Sequence, residues 1–359
     1  MDSLFDDNKA SEFADRFMGN LNAAALSLMA SIGYRTGLFD AMQGMAPATS
    51  QEIAEAAGLN ERYVREWLGA MVTGRVVDVI DPDRLTYQLC DEHAAFVTRD
   101  AGADNLAMFA QYVALLGSVE DDIVDCFRHG GGVAYDRYPR FHGVMAEESA
   151  LTVIAGLEDY VLPLVSGLTD RLASGIKMLD VGCGQGRAIT KLAGLYPNSS
   201  FVGLDLSDEA IACGRAEAAA LGLENLTFRA QDLSDFDRTA PEAEFDFITT
   251  FDAIHDQGQP LNVLKGICRA LKPDGRYLMQ DIKGSTNPHN NLDHPIGPFL
   301  YTVSCMHCMT VSLAQGGEGL GAMWGEEKTR EYLALAGFNH VETNELAHDI
   351  QNNWYVITK

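Results

Sequence analysis

The amino-acid sequence predicts an α/β protein: a parallel sheet covered by helices in its C-terminal half, preceded by a smaller, mostly α-helical domain. Three observations carry this. After about residue 175, short apolar strands alternate with helical segments: KMLDVG, FVGLDL, LTFRAQD, FDFITTFDA and GRYLMQDI. That alternation is the pattern of a parallel sheet with helices on both faces. Before residue 100 the pattern is helix after helix, followed by two short strands. Finally, 359 residues exceed one typical domain, and a hydrophobic fraction of 47% supplies an ordinary large core.

Taken in order, residues 17–46 read as helix with apolar residues nearly all round, including FMGNLNAAALSLMASIGYRTGLFDAM. Such a helix needs burial on most sides, and its natural cover is a second subunit. Ser50 to Ile80 reads as helix, turn, helix, strand, with Gly58 ending the first helix and Asn60 capping the second. VVDVIDPDRLTYQL then gives two short strands around an Asp-Pro-Asp turn. Together these elements make a winged helix. A further helical stretch, 102–130, ends at Gly130-Gly131-Gly132. The aromatic-rich AYDRYPRFHGVMAEES follows, broken by Pro139, and residues 145–174 return to a helical pattern. A long irregular segment, 283–325, interrupts the sheet domain; GFNHVETNELA and NWYVITK close the chain as an antiparallel strand pair. The expected divisions are 1–100, a helical and winged-helix dimerisation domain; 101–174, a helical linker that closes the pocket; and 175–359, the sheet domain.

Charge and cysteine usage narrow the function. The formal charge is −25, with the acids spread along the chain. Such a surface repels phosphates, so neither nucleic acid nor an anionic membrane is an expected partner; solubility is the simpler reading. The N-terminal stretch MDSLFDDNKASEF lacks the basic start and apolar core of a signal peptide, and no uncharged run is long enough to span a bilayer. Seven scattered cysteines suit a reducing cytoplasm rather than a disulfide framework.

The stretch MLDVGCGQG, Met178 to Gly186, runs from an apolar strand into a glycine-rich turn. Its glycines, Gly182, Gly184 and Gly186, follow G-x-G-x-G spacing, whereas a dinucleotide fingerprint needs G-x-G-x-x-G. Asp180, just before the first glycine, would repel an incoming pyrophosphate and welcome a cation. S-adenosylmethionine carries an ammonium and a sulfonium and no phosphate. Glycines let the backbone approach such a ligand closely, and Asp180 can act on its amino-acid end. The next strand ends in Asp205, nineteen residues past Gly186, where a carboxylate accepts both hydroxyls of a ribose. The third ends in Gln231-Asp232-Leu233; there Asp232 can accept from an adenine amino group while Leu233 packs on the base. Any one of these acids can be a solvated loop residue. The ordered set is far more specific.

Residues 175–282 resemble a class I S-adenosylmethionine-dependent methyltransferase. DVGCGQG resembles the family's glycine loop, Asp205 its ribose acid and Asp232 its adenine acid; RALKPDGRYLMQD resembles the turn before its fifth strand, through Pro273, Asp274 and Gly275. The resemblance implies a Rossmann-like seven-stranded methyltransferase domain. It implies S-adenosyl-L-methionine as cofactor, with Cys183, Leu206 and Phe251 joining the cofactor residues above. The whole chain, a winged-helix domain followed by this catalytic domain, is similar to the small-molecule O-methyltransferases of plants, bacteria and pineal tissue. IGYRTGLFDAM resembles their dimerising N-terminal helix, which implies a homodimer through the N-terminal domain. A closer likeness is to a bacterial and mycobacterial group of unassigned substrate, carried by AYDRYPRFHGVMAEES and YTVSCMHCMTVSLAQGGEGLGAMWG.

In the small-molecule O-methyltransferases a His-Asp pair stands where this chain has FDAIHDQGQP. The resemblance makes His255 the general base and gives Asp256 a place at the cofactor end of the pocket. Histidine suits this task because its ordinary pKa lies near neutrality. Gln257-Gly258-Gln259 departs from the family's C-H-D-W-x-D pattern, which leaves the substrate open. A structural role for His255, capping the next helix or supporting the loop, is the alternative. The base is useful for an oxygen acceptor and less necessary for a thiol, which is already partly ionised.

The segment 283–325 is expected to supply a substrate wall through Tyr301, His307 and Trp324. SCMHCMT places Cys305 and Cys308 in C-x-x-C spacing, but no second ligand pair accompanies them, so no metal is expected. A buried helix with sulfur-containing residues explains the motif more simply, with His307 facing the substrate as a lesser possibility. In the O-methyltransferases the region of AYDRYPRFHGVMAEES closes over the ligands; Tyr135, Tyr138, Phe141 and Met145 are its candidate lining, with ordinary interdomain packing as the alternative. Three functions follow: methyl transfer to a small-molecule hydroxyl, S-methylation of a small thiol, or a winged-helix DNA-binding regulator with S-adenosylmethionine as effector. In the candidate reading helix, ERYVREWLGAMVTG, Glu61 and Glu66 balance Arg62 and Arg65, which weakens the last.

Overall fold

A computed structural model describes residues 5–359; Met1 to Leu4 of the acidic N-terminal stretch lie outside the described residues. The chain divides into two compact units, one ending at Gly117 and the other beginning at Ser118.

In the first unit, α1 (Asp7–Thr36) starts where the Asp6 carboxylate accepts from the amides of Asn8 and Lys9, and ends at Gly37, whose φ of 74° stops it. The helix therefore begins ten residues before the apolar pattern at 17 and breaks before α2 (Leu38–Met42). Strand β1 (Ala48–Thr49) leads into α3 (Ser50–Ala57), where Thr49 and Glu52 form a reciprocal capping box. Gly58 ends α3, and the Asn60 side chain caps α4 (Glu61–Thr73), as expected. The wing is β2 (Asp78–Asp81) and β3 (Thr86–Gln88), in an antiparallel sheet of order β1-β3-β2. Three short helices follow: α5 (Asp91–Val97), α6 (Leu106–Phe109) and α7 (Gln111–Gly117).

Trp67 of α4 donates to the Met29 carbonyl of α1 over 2.8 Å. The stretch IGYRTGLFDAM packs inside the unit: Tyr34, Leu38, Phe39 and Met42 are buried. Most of α1 is not. Phe13, Phe17, Met18, Leu21, Leu28 and Ile32 are exposed, so the burial expected of this helix is not provided within the single chain. The reason is geometric. Only the last turns of α1 lie against α2 and α4, and only Ser31, Gly33 and Tyr34 of the helix are buried.

The second unit opens with α8 (Glu120–His129), which ends at the glycine cluster, and α9 (Phe141–Ser149). The helical stretch continues through two π turns, Ala150–Ile154 and Leu157–Val161, before α10 (Leu168–Ser174). The sheet strands are β4 (Lys177–Val181), β5 (Ser200–Asp205), β6 (Leu226–Ala230), β7 (Phe245–Phe251), β8 (Leu271–Ile282), β9 (His340–Leu346) and β10 (Asp349–Thr358). Their order is β6-β5-β4-β7-β8-β10-β9; the first five are parallel, and β10 runs antiparallel to both its neighbours, β8 and β9. The connections are α11 (Arg187–Leu195), α12 (Asp208–Ala220), α13 (Phe236–Thr239) and α14 (Pro260–Ala270).

The sheet is apolar on both faces because successive side chains point opposite ways. Met178, Phe247, Leu278 and Trp354 enter one core. Their neighbours Leu179, Ile248, Met279 and Tyr355 enter the other.

The segment 283–325 departs from the expectation of irregularity. Helix α15 (Gly297–Val303) runs through a π turn, Ser304–Cys308, into α16 (Met309–Ala314). No glycine or proline occurs from 299 to 315, so nothing stops the helix; only the flanking proline- and glycine-rich stretches are loops. Helix α17 (Gly325–Ala336) follows.

Candidate functional site

Because β4 to β8 are parallel, their C-terminal ends share one edge, and the singled-out acids collect there. Asp180, at the end of β4, is 2% exposed and accepts from the Thr249 hydroxyl of β7 over 2.7 Å. Burial pushes its carboxyl up to about 7, with Asp205 adding to the rise and Thr249 opposing it. The loop that follows has positive φ at Gly182, Gly184 and Gly186: 70°, 54° and 71°. A Cβ on Gly186 would lie 2.1 Å from the Phe228 ring; one on Gly184 would meet nothing. Asp205 accepts from the Gly184 amide over 2.7 Å and the Ser207 amide over 2.8 Å, which ties the loop to β5. Cys183 is half-buried, and burial pushes its thiol well up. Leu206 and Asp232 are exposed, and Asp232 accepts from the Ser234 amide over 2.8 Å. Leu233 is buried in the core cluster that also holds Phe236. Phe251 is half-buried beside Trp354.

His255 is 3% exposed, in the loop after β7. Its Nδ1 lies 2.7 Å from Asp281 Oδ1, near the end of β8. A carboxylate only accepts, so Nδ1–H donates and Nε2 is the accepting nitrogen; Cys308 is near enough to add to the rise of the imidazole's pKa. Trp324 Nε1 donates to the same Asp281 oxygen over 3.0 Å. Burial alone would lower the His255 pKa; the charge of Asp281, with the bonds to Asp281 and Cys308, outweighs it and holds the imidazole well above its ordinary value. Asp256 is pushed up to about 6 by burial, with His255 opposing. Asp252 sits at φ 48° and is driven well up by burial and by Asp281. Oδ1 of Asp252 and Oδ2 of Asp281 have no partner. Asp252, His255 and Asp281 bring donor atoms within 4.8 Å of one another, the spacing of a metal group, but His255 and Asp281 already bond each other.

The aromatic stretch before the sheet meets the π turn. His307 is 1% exposed; its ring stacks on Phe141 with centroids 3.6 Å apart, and meets the edges of Tyr135 and Tyr138 at 5.0 and 4.8 Å. Tyr138 donates its hydroxyl to the Met306 carbonyl over 2.5 Å. Neither nitrogen of His307 has a partner, and burial pushes its pKa well down. Met145 is half-buried on α9. The other two expected wall residues are held by polar partners. The Tyr301 hydroxyl accepts from Asn291 over 3.0 Å, and Trp324 is 3% exposed behind Asp281. Cys305 and Cys308 are free thiols.

Sequence reasoning missed Asp252 and Asp281, and it weighed Cys308 only as half of a C-x-x-C pair, not as a neighbour of His255. The signal for Asp281 was present: it is the last acid of GRYLMQDI, on the strand beside β7. Which acid reaches His255 depends on strand order, and that is tertiary information.

Residues 24–99 match the family model of an Rv2258c-like winged HTH domain, and residues 172–337 that of a methyltransferase domain. An uncharacterised methyltransferase of Synechocystis is 30% identical over 153 residues, 42% of this chain and 66% of its own length. A ubiquinone biosynthesis O-methyltransferase of Actinobacillus pleuropneumoniae is 33% identical over 127 residues, 34% of this chain and 51% of its own length. The chain thus spans about half to two thirds of these relatives. The solved structure of human N-acetylserotonin methyltransferase in complex with S-adenosylmethionine superposes with a TM-score of 0.69, 16% identity, and coverage of 100% of this chain and 99% of that one. At that identity it shows the fold. The chain thus carries a winged-helix domain followed by a methyltransferase domain.

Proposed function

We propose that the protein transfers the methyl group of S-adenosylmethionine to a hydroxyl oxygen of a small molecule, with His255 as general base. The observation that carries this is the buried Asp281–His255 pair, 2.7 Å apart at the C-terminal edge of the sheet. Two of the proteins it resembles, a ubiquinone biosynthesis O-methyltransferase and an N-acetylserotonin methyltransferase, support methyl transfer to a small molecule.

The residues present fit the cofactor. Asp180 is a buried carboxyl pushed up to about 7 by burial, with Asp205 adding to the rise, and an ammonium group would satisfy its charged form. Gly182, Cys183, Gly184 and Gly186 form a cradle that a side chain at Gly184 would fill. Asp205 and Leu206 would hold the ribose end, and Asp232, Leu233 and Phe251 the adenine end. When bound, S-adenosylmethionine supplies an electrophilic methyl carbon on a sulfonium.

The chain's own residues do the rest. Asp281, fixed by the Trp324 indole, holds His255 with Nδ1–H inward, so that Nε2 is the proton-accepting atom. The acceptor's hydroxyl gives up its proton at Nε2 as the methyl moves. Asp256 stands at the cofactor end of the pocket. Tyr135, Tyr138, Phe141, Met145 and His307 line the acceptor's side and exclude water. Tyr301 and Trp324 support that wall from behind. A thiol acceptor has less need of a base, so the Asp281–His255 pair favours oxygen over sulfur.

The DNA-regulator reading loses ground at α4. Arg62 and Arg65 are each paired with a glutamate on their own helix, at 2.5 and 2.6 Å, so the helix presents little free positive charge to phosphates. We assign the exposed apolar face of α1 to a homodimer contact, and the seven free thiols to a reducing cytoplasm. No helix among the described residues is long and apolar enough to cross a membrane.

Calorimetric titration with S-adenosylhomocysteine, and separately with NAD, tests the cofactor. Binding of the former alone is expected; binding of NAD alone overturns the reading. For the base, His255→Gln is expected to keep S-adenosylhomocysteine affinity and lose about 10²–10⁴-fold in methyl transfer. Full activity in that variant removes the general-base assignment.

A further inference from the structure

The loop that carries His255 and Asp256 is held by a part of the chain with no role in the chemistry above. Ser312, on α16, is 0% exposed. Its hydroxyl donates to the Gln257 carbonyl over 2.8 Å and accepts from the Gly319 amide over 3.1 Å. The glycine-rich stretch after α16 lies along the same backbone as a strap. The Glu318 amide donates to the Gly258 carbonyl over 3.1 Å, and the Gly317 amide to the Ser312 carbonyl over 2.9 Å. The strap is itself tied down, because the Tyr332 hydroxyl of α17 donates to Glu318 Oε2 over 2.5 Å. Helix α16 is braced in turn: the Val133 amide donates to the Thr310 hydroxyl over 2.8 Å.

The approach of strap to loop requires glycine at one position. A Cβ on Gly317 would lie 2.4 Å from Gly258 Cα and 2.5 Å from the Gly258 carbonyl oxygen, so the two backbones touch with no room for a side chain. The reverse does not hold. A Cβ on Gly258 would meet Gln315 at 3.5 Å, an ordinary contact. On its other side the held loop reaches the glycine loop after β4. The Gln257 side-chain amide donates to the Ala253 carbonyl over 2.8 Å, and a Cβ on Gly182 would lie 2.5 Å from the Ala253 Cβ. Contacts therefore run from the strap, through residues 253–258, to Gly182.

We infer that Ser312 and Gly317 are positioning residues for the cofactor: they fix the backbone of residues 253–258, and through it the wall that Ala253 forms against the glycine loop. This deepens the cofactor-binding reading of that loop and rests on it, but not on His255 as base. A loop ordered before the ligand arrives loses less conformational freedom on binding, which strengthens affinity. The inference also gives Gln257-Gly258-Gln259 a purpose, since the first two residues offer the strap their carbonyls and Gly258 a bare backbone.

The test uses the full chain and titrates S-adenosylhomocysteine calorimetrically against the natural protein, Ser312→Ala, Gly317→Ala, Gly258→Ala and Gly316→Ala, with the Tm of each. Gly316 has φ 69° and open space beside it, so its alanine variant carries backbone strain without touching the loop; Gly317 has no positive φ, and its variant brings the contact without that strain. Ser312→Ala and Gly317→Ala are expected to bind about 10-fold more weakly. Gly316→Ala is expected to lose Tm and keep its affinity, and Gly258→Ala to keep both. Hydrogen exchange of residues 253–258 should rise in the first two variants alone. Native affinity in Ser312→Ala and Gly317→Ala overturns the inference. So does a loss of affinity that simply follows Tm across all four variants, because that reports general destabilisation. Should Gly317→Ala not fold, Ser312→Ala decides by itself. If the natural protein does not bind S-adenosylhomocysteine, the cofactor reading fails and the inference with it; if it binds and the variants match it, only the inference fails.

Discussion

In its proposed cofactor-binding role, Asp180 couples binding to stability. Its ordinary carboxyl pKa is 3.8, and in the folded protein burial raises it to about 7. The folded state holds this proton more tightly than the unfolded chain. Stability from this group is therefore full below about pH 4, falls as pH rises toward 7, and stays low above that. Asp180→Asn removes the penalty. It is expected to raise the ligand-free Tm at pH 8, through a stability gain on the order of a few kcal/mol, and to change it little at pH 4. The same variant should bind S-adenosylhomocysteine more weakly, because the ammonium loses its carboxylate. In the natural protein that affinity should weaken as pH falls below about 7, and the pH dependence should disappear in Asp180→Asn.

As the proposed base, His255 obeys the opposite logic. A base must be unprotonated to act, and Asp281 holds the imidazole well above its ordinary pKa. Methyl transfer should therefore rise with pH, with its midpoint above 6.5. Asp281→Asn removes the charge that raises the pKa, leaves burial to dominate, and should move the midpoint in the acid direction while lowering kcat. An unchanged midpoint would separate Asp281 from the base.

At the scale of elements, the glycine loop separates cradle from fold. Gly186 ends the loop at φ 71°, and a Cβ there would lie 2.1 Å from the Phe228 ring on β6. Gly184 has φ 54° with open space beside it. Gly186→Ala carries both backbone strain and a clash, and should lower the Tm markedly. Gly184→Ala carries the strain alone, about 1–2 kcal/mol. It should stay folded and lose S-adenosylhomocysteine binding, because its methyl fills the cradle. Equal Tm losses in the two variants would show that Phe228 yields.

For the whole molecule, the open question is what covers α1. Phe17 and Leu21 are exposed on a helix whose last turns alone are buried. In the proposed homodimer, Phe17→Glu with Leu21→Glu should shift sedimentation from dimer to monomer and leave the circular dichroism of the chain unchanged. A natural protein that sediments as a monomer at micromolar concentration removes the dimer.

The sequence by itself determined the strands, the glycine loop and the helix caps, because each depends on residues close in the chain. Gly58 and Asn60 bound their helices through contacts within a few residues, and the period of apolar side chains distinguishes strand from helix locally. It determined the acids at the strand ends for the same reason. The tertiary structure alone decided which acid meets which histidine. Asp281 lies 26 residues beyond His255 and reaches it because β8 pairs with β7. It alone decided that His307 is enclosed by Phe141, more than 160 positions earlier, with both nitrogens unpaired. Burial and partnership are properties of the packed chain: sequence can nominate a titratable group, but only packing removes its water and sets its charge.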